Sequence, residues 1–384
     1  MELKQAGKPK RIGIDARFYG PQVKGLGRYT QEVVSGVIAN DQINEYVIFL
    51  NKDSFTNFAC SNKRVTKVLA NARWYTLKEQ ALMPFLFWRA KLDLIHVPHF
   101  NVPLLIPQKF IVTIHDLILT KYSTARATTL GPFLYKIKNI AYKFVIYLAV
   151  KRARRIIAVS EFTKNDLIKQ FELKPEKVAT IYEGISSRLI DASSRDDKEV
   201  ILGYNIHKPY LLYVGNAYPH KNLEGLIKVF PKIKEKNPEL SLVLVGKEDY
   251  FYARLKQLAQ DNENADNIIF PGFVPDNDLA ALFRQAEVYV FPSYFEGFGL
   301  PPLEAMRYGC VAVSSNRTCL PEVLGDAAIY FDPGNEQEFI GQIDRAINDS
   351  TLRSTLRGKG YEQIKRYSWQ KCAQETLAIY NAIN

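Results

Sequence analysis

Short, almost uninterrupted apolar runs recur along this chain, and stretches with helical periodicity separate most of them. They lie at Arg11–Ala16, Tyr46–Leu50, Leu92–Pro98, Phe110–His115, Arg155–Ser160 and Val178–Tyr182, with a first helical pattern from Tyr29 to Ala39. Apolar strands that do not alternate with polar residues are buried on both faces. Strands of that kind joined by helices predict an α/β fold with a parallel sheet covered on each side. From Gly184 to Lys208 the chain turns polar, with Ser186, Ser187, Ser193, Ser194, Asp196 and Asp197, and reads as a linker. The rhythm then restarts, with strands expected at Tyr210–Val214, Leu240–Val245, Asn267–Phe270, Val288–Phe291, Val311–Ser314 and Ala328–Phe331. A last helix is expected from Ser368 to Ile383. The expectation is therefore two doubly wound Rossmann-like domains, residues 1–185 and 205–367, facing across a cleft, with helix 368–384 returning to the first. Such sheets bind ligands at the carboxyl ends of their strands.

The segment Ser293 to Ala305 carries the sharpest chemical signal. It follows the apolar run Val288–Phe291 and precedes good helix formers, Leu303 to Arg307. Pro301 and Pro302 suit the first turn of a helix, where a missing N–H costs nothing. Gly297 and Gly299 allow close backbone approach and, where needed, positive φ. A strand–loop–helix of this kind aims unpaired N–H groups at an anion. Similar junctions occur in every α/β domain, so taken alone the segment is ordinary structure. Glu296 and Glu304 frame it, and carboxylates accept hydrogen bonds from vicinal hydroxyls. A phosphate site between two hydroxyl-binding groups describes a nucleotide sugar.

Other constellations sit at corresponding places. Gly25 and Gly27, in Lys24-Gly25-Leu26-Gly27-Arg28-Tyr29, follow the first strand; Thr30 stands where a dinucleotide fingerprint needs a third glycine. Gly215 ends the first strand of the second half, Asn222 is placed to cap the next helix, and Lys221 lies at that helix start as a point charge for a diphosphate. His220 beside it either adds charge when protonated or is merely exposed. His115-Asp116 closes a first-half strand, and His96, His99, Phe100 and Asn101 sit on an earlier strand and its loop, suited to acceptor hydroxyls and sugar stacking. Asp276-Asn277-Asp278 has the form of a metal-binding triplet, yet the helical run after it points to capping. Ser160 or Glu161 reads as a helix cap. Tyr135 to Arg155 interleaves lysines and arginines with apolar residues, which fits either a membrane-surface helix or a core-facing helix with snorkelling lysines.

The net charge of +11 is uneven. Residues 1–185 hold 29 Lys+Arg against 14 Asp+Glu, a net +15; the remainder hold 22 against 26, a net −4. The first half therefore faces something anionic. No zinc-finger spacing, RNP-type motif or basic heptad array points to nucleic acid, so a membrane surface or phosphate-bearing acceptor is the better expectation. Cys60, Cys310, Cys319 and Cys372 lack paired spacing and read as reduced, buried thiols of a cytosolic protein. Neither a signal peptide nor an apolar stretch of membrane-spanning length is evident.

Gly25/Gly27, His115, the Ser160–Thr163 helix start, Gly215/Lys221, Glu296/Glu304 and Pro321-Glu322-Val323-Leu324, in that order, resemble the retaining GT-B-fold glycosyltransferases of the GT4 (group 1) family. The closest look is to bacterial mannosyltransferases. The resemblance implies a GT-B fold and catalysis by His115, Lys221 and Glu296. It implies donor contacts from Gly25, Gly27, Gly215, Asn216, Val274, Phe298, Gly299, Leu300 and Glu304. In such enzymes Glu296 faces the sugar, the Gly-Phe-Gly backbone meets sugar and diphosphate, Glu304 holds the ribose and the loop near Val274 borders the base. Asn216 stands where many members have Arg. His99 and Asn101 are assigned to the acceptor. The expected reaction moves mannose from GDP-mannose to a glycan or lipid-linked acceptor in surface polysaccharide assembly. It needs no cofactor or metal and takes place in the cytoplasm or peripherally on the inner membrane face. The alternatives are a UDP-sugar donor on the same fold, an NAD-dependent oxidoreductase, and a non-catalytic binder of an anionic surface.

Overall fold

The computed structural model describes residues 8–20, 24–121, 132–185 and 196–383. The chain divides into two compact units. One runs to Lys121, continues to Gly184 and regains the chain from Ser368; the other spans Ile185–Tyr367.

In the first unit the elements are β1 (Arg11–Asp15), α1 (Lys24–Asn40), β2 (Glu45–Leu50), α2 (Lys52–Asn57), β3 (Val65–Leu69), α3 (Leu77–Arg89), β4 (Leu94–Val97), β5 (Phe110–Ile114), α4 (Ile118–Lys121), α5 (Pro132–Arg152), β6 (Arg155–Ala158), α6 (Glu161–Phe171) and β7 (Val178–Thr180). Their sheet has the order β3-β2-β1-β4-β5-β6-β7 and is parallel throughout. The order reverses between β1 and β4, so the loops after these strands diverge and leave a crevice. Strand β3 escapes the apolar-run criterion because it has one neighbour and leaves Thr66, Lys67 and Leu69 exposed. Helix α1 begins earlier than the periodicity at Tyr29 indicates. Gly25 and Gly27 therefore occupy its first turn rather than a loop before it. Ser160 caps α6, its hydroxyl accepting from the Thr163 amide at 3.1 Å.

The C-terminal helix, Trp369–Ala382, packs on α1. Gly36 permits the approach, since a Cβ there would lie 2.5 Å from that of Ala373. Tyr380 is wholly buried, and its hydroxyl meets Nδ1 of His96 at 2.6 Å.

The second unit contains α7 (Asp197–Gly203), β8 (Tyr210–Val214), α8 (Leu223–Lys236), β9 (Ser241–Val245), α9 (Tyr250–Gln260), β10 (Ile268–Gly272), α10 (Asp276–Gln285), β11 (Val288–Phe291), α11 (Leu300–Arg307), β12 (Ala312–Ser315), α12 (Leu320–Leu324), β13 (Ala328–Phe331), α13 (Glu336–Asn348) and α14 (Ser350–Ile364). Its parallel sheet is ordered β10-β9-β8-β11-β12-β13, with the reversal between β8 and β11. Helix α7 lies inside the stretch read as a linker. Its short pattern, Val200 and Ile201 inward, is pinned by a bidentate pair between Arg284 and Asp197 at 2.7 and 2.5 Å. The four linker serines fall outside the described residues.

All four cysteines are free; Cys310, Cys319 and Cys372 are buried, whereas Cys60 is exposed, contrary to the expectation for it. Among the described residues no helix is long and apolar enough to cross a membrane.

Candidate active site

The loops leaving β8 and β11 flank the order reversal of the second sheet and carry most of the residues singled out from sequence. Gly215 directly follows strand β8. A Cβ there would approach the Tyr213 hydroxyl to 2.6 Å, so the turn accepts only glycine without rearrangement. Tyr213 donates to the Asn216 carbonyl at 2.8 Å, fixing the next residue. The chain then passes through a tight 3-10 turn, Pro219–Lys221, and enters α8 through Asn222 at φ +57°. Asn222 makes no side-chain cap, which corrects the expectation for it; in the left-handed conformation its amide is turned toward Gly225.

The turn delivers Lys221 to Glu296. Lys221 Nζ lies 2.6 Å from Glu296 Oε1, and both side chains are nearly buried. The ammonium also stands 5.7 Å above the Phe291 ring at the end of β11. The Glu296 amide donates to Thr318 Oγ at 3.1 Å, while Cys319 Sγ donates to the carbonyls of Glu296 and Phe298 at 3.3 and 3.2 Å. Burial pushes the Cys319 thiol pKa well up, so it remains a neutral donor. Burial and the neighbouring Lys221 push His220 down to about 4, so it adds no positive charge near neutral pH. Lys221 is thus the cation this turn supplies.

Helix α11 starts at Leu300, after Gly299 at φ +91°. A Cβ on Gly299 would also meet Leu320 Cδ2 at 2.8 Å, a side-chain end that can shift, so it is the left-handed conformation that demands glycine. Pro301 and Pro302 occupy the first turn, and Glu304 lies buried one turn further on. The Phe298 ring is buried edge-on against Tyr367 at 5.4 Å, so this residue offers a ligand its backbone rather than its ring. Val274 is buried in the loop between β10 and α10. The acidic triplet after it does not form the cap: Pro275 is the cap residue, and Asp276 and Asp278 lie in the first turn, favourable to the helix dipole. Asp278 accepts from the Tyr204 hydroxyl at 2.8 Å. Among the described residues, no group of three or more His, Cys, Asp or Glu is placed to hold a metal ion.

In the first unit, His115 follows β5. Its Nδ1 lies 3.0 Å from Glu183 Oε1 and its Nε2 3.2 Å from the Pro98 carbonyl. A carbonyl and a carboxylate both accept, so the ring must donate from both nitrogens, which only the imidazolium does. Burial works against that charge, but the hydrogen bond and charge of Glu183, with help from Pro98 and Asp116, outweigh it and raise the pKa above its ordinary value. Nothing local in the sequence marks Glu183, which reaches His115 from the segment after β7. Neighbouring histidines behave oppositely: burial and the His115 charge lower both His96 and His99 to about 3. His99 accepts from the Asn101 amide at 3.3 Å and packs against Phe18 and Phe100. Asn101 is buried, donating to both Glu79 oxygens at 2.8 and 3.0 Å.

The sign of the His115 shift gives a prediction. A raised folded-state pKa contributes stability that is fully present below the unfolded value and is lost as pH rises through the folded one. In Glu183→Gln the ring is expected to titrate at lower pH than in the wild type, with the loss of stability on the alkaline side moving down with it. NMR titration of His115 in both proteins checks this; an unmoved titration means Glu183 does not hold the proton.

Two family patterns match the chain: glycosyltransferase family 4 over residues 23–188 and glycosyl transferases group 1 over residues 194–363. The chain belongs to this glycosyltransferase family. It is 28% identical over 375 residues to O-antigen chain mannosyltransferase B of Escherichia coli, covering 94% of this chain and 96% of that protein. It is 29% identical to O-antigen chain mannosyltransferase RfbU of Salmonella typhimurium over 74% of this chain and 73% of the other. Among solved structures, sucrose-phosphate synthase of Thermosynechococcus elongatus superposes with a TM-score of 0.77 at 19% identity, over 97% and 98% of the two chains. That likeness concerns the fold, and it is the GT-B fold of two Rossmann-like domains.

Proposed function

We propose that this glycosyltransferase moves mannose from GDP-mannose, with retention of configuration, to a glycan or lipid-linked acceptor in O-antigen or related surface polysaccharide assembly. The observation that carries the reading is the likeness to O-antigen chain mannosyltransferase B along nearly the whole of both chains. The diphosphate is assigned to the N-terminal end of α11, where the helix dipole is positive, and to Lys221, whose cation stabilises the charge that develops as it leaves. Backbone at Gly25, Gly27, Gly215, Asn216, Phe298, Gly299 and Leu300 belongs to the same assignment. Glu296 and the His115 imidazolium are given the sugar hydroxyls, Glu304 the ribose, Val274 the edge of the base, and His99 and Asn101 the acceptor side.

In the proposed step the C1–O bond to the diphosphate breaks and a bond from the acceptor oxygen forms on the same face. The acceptor proton passes to the departing phosphate oxygen. Products are GDP and the mannoside, and no metal enters. The reaction is assigned to the cytoplasm, on acceptors presented at the inner membrane face.

The test is a panel of GDP-mannose, UDP-glucose, UDP-galactose and NADH, read by thermal protection and by sugar release with and without EDTA. Ligand at a hundred times its dissociation constant stabilises by about 2.7 kcal/mol, so a true donor is readily distinguished. GDP-mannose is expected to protect and to turn over in EDTA, and NMR of the product to show the donor's α configuration. Preference for a UDP-sugar, or inversion at C1, defeats the proposal.

A further inference from the structure

We infer that the solvent-facing side of α3 and α5 is a docking surface for an anionic lipid bilayer. Helix α5 buries Ile146, Ala149 and Val150 in the first unit's core, the same cluster that takes Met83 and Phe87 of α3. Opposite that buried side α5 exposes Ile137, Ile140, Phe144 and Tyr147, with relative exposures of 49%, 60%, 55% and 48%. Spacings of three, four and three residues put them in one stripe along the helix. Lys136, Lys138, Lys143 and Lys151 are exposed on the same helix, whose sequence contains no Asp or Glu.

Helix α3 repeats the arrangement. Leu77, Phe85 and Trp88 share its outer face at 89%, 51% and 66% exposure, with Lys78 and Arg89 exposed beside them. The loop between the helices is tied to both: the Leu104 amide donates to Gln80, and Arg152 donates to the carbonyls of Leu104 and Ile106. Leu105, 75% exposed, projects from that loop. Large apolar side chains exposed in rows on one side of two helices, rather than scattered singly, mark a binding site.

Charge selects the occupant. Two copies of this surface would set lysine against lysine, whereas an anionic bilayer accepts the apolar ridge among its acyl chains and the lysines among its headgroups. Trp88 and Tyr147, with apolar bodies and polar edges, suit that boundary. The inference deepens the proposed function by naming the surface that brings the enzyme to a lipid-linked acceptor. Its test uses neither donor nor acceptor, so the two readings fail separately.

The full chain is floated with vesicles of phosphatidylcholine alone and of an equimolar mixture with phosphatidylglycerol. Binding to the mixed vesicles only, weakening with salt, is expected. Ile140→Glu with Phe144→Glu should lower the partition at least about tenfold, given the apolar area withdrawn. Lys136→Gln, Lys138→Gln and Lys143→Gln together should remove about fivefold per charge. Donor turnover on a soluble acceptor should stay at the wild-type level in both, which also reports that they fold. Equal binding to both vesicle types, no binding, or partition unmoved by either variant overturns the inference. So does a wild-type dimer in solution that the glutamates convert to monomer.

Discussion

Lys221→Ala is expected to lower turnover by roughly 10²–10³-fold, the usual consequence of removing a preorganised group that stabilises a leaving oxyanion. It should also weaken GDP binding. Glu296→Gln is expected to lower turnover comparably while GDP binding tightens, because the carboxylate 2.6 Å from Lys221 Nζ competes with a diphosphate for that ammonium. Opposite movements of GDP affinity distinguish a catalytic pair from a structural one. Removing Lys221 alone leaves a nearly buried carboxylate unpaired, at a cost of about 1–3 kcal/mol. Lys221→Met with Glu296→Gln should recover most of that stability and none of the activity. Stopped assays with GDP-mannose, GDP titration calorimetry and thermal melts check the set. Turnover within tenfold of wild type in either single variant would exclude the assigned roles.

Arg17→Met is expected to produce the largest loss of stability. Arg17 and Glu79 are fully buried; the guanidinium donates to both Asp15 oxygens at 2.8 and 2.6 Å, to Glu79 Oε1 at 2.6 Å and to the Ala72 carbonyl at 3.2 Å. Burial opposes its charge, but the two carboxylates overcompensate and hold it protonated. Glu79 additionally accepts from Asn101 and from the Tyr75 amide at 2.7 Å. Removing the cation strands two carboxylates, and breaking such a buried cluster costs about 3–5 kcal/mol. At about 2–4 °C per kcal/mol for a unit of this size, the first unit should melt roughly 6–20 °C lower. Calorimetry reads the shift; a loss under about 1 kcal/mol means water or rearrangement compensates.

The parallel, doubly wound architecture is legible in the sequence because buried parallel strands must be apolar on both faces, and Val288–Phe291 or Phe110–Ile114 could hardly be anything else. Strand β3 was not legible, since an edge strand is held by backbone bonds to a single neighbour and needs no apolar run. Helix α7 was hidden in a polar stretch because it is short and packs against partners far along the chain, with Arg284 pinning Asp197. Gly299 illustrates the reverse: a glycine before two prolines announces the helix start that the structure contains.

For the candidate site, sequence determined which residue types stand at which strand ends: Gly215 and Lys221 after one strand, Glu296 to Glu304 after another, His115 after a third. Local chain chemistry suffices for that, because glycine, proline and capping preferences act over a few residues. Tertiary structure alone decided the partners. That Lys221 meets Glu296 across 75 positions, that Glu183 meets His115 across 68, and that Arg17 gathers Glu79 across 62 follows from how the strand order and the helices over each sheet bring distant segments together. Protonation was decided at the same level. His115, His99 and His220 are the same side chain in the sequence, and only burial and the nearest charge separate a ring whose pKa is raised from two whose pKa is lowered.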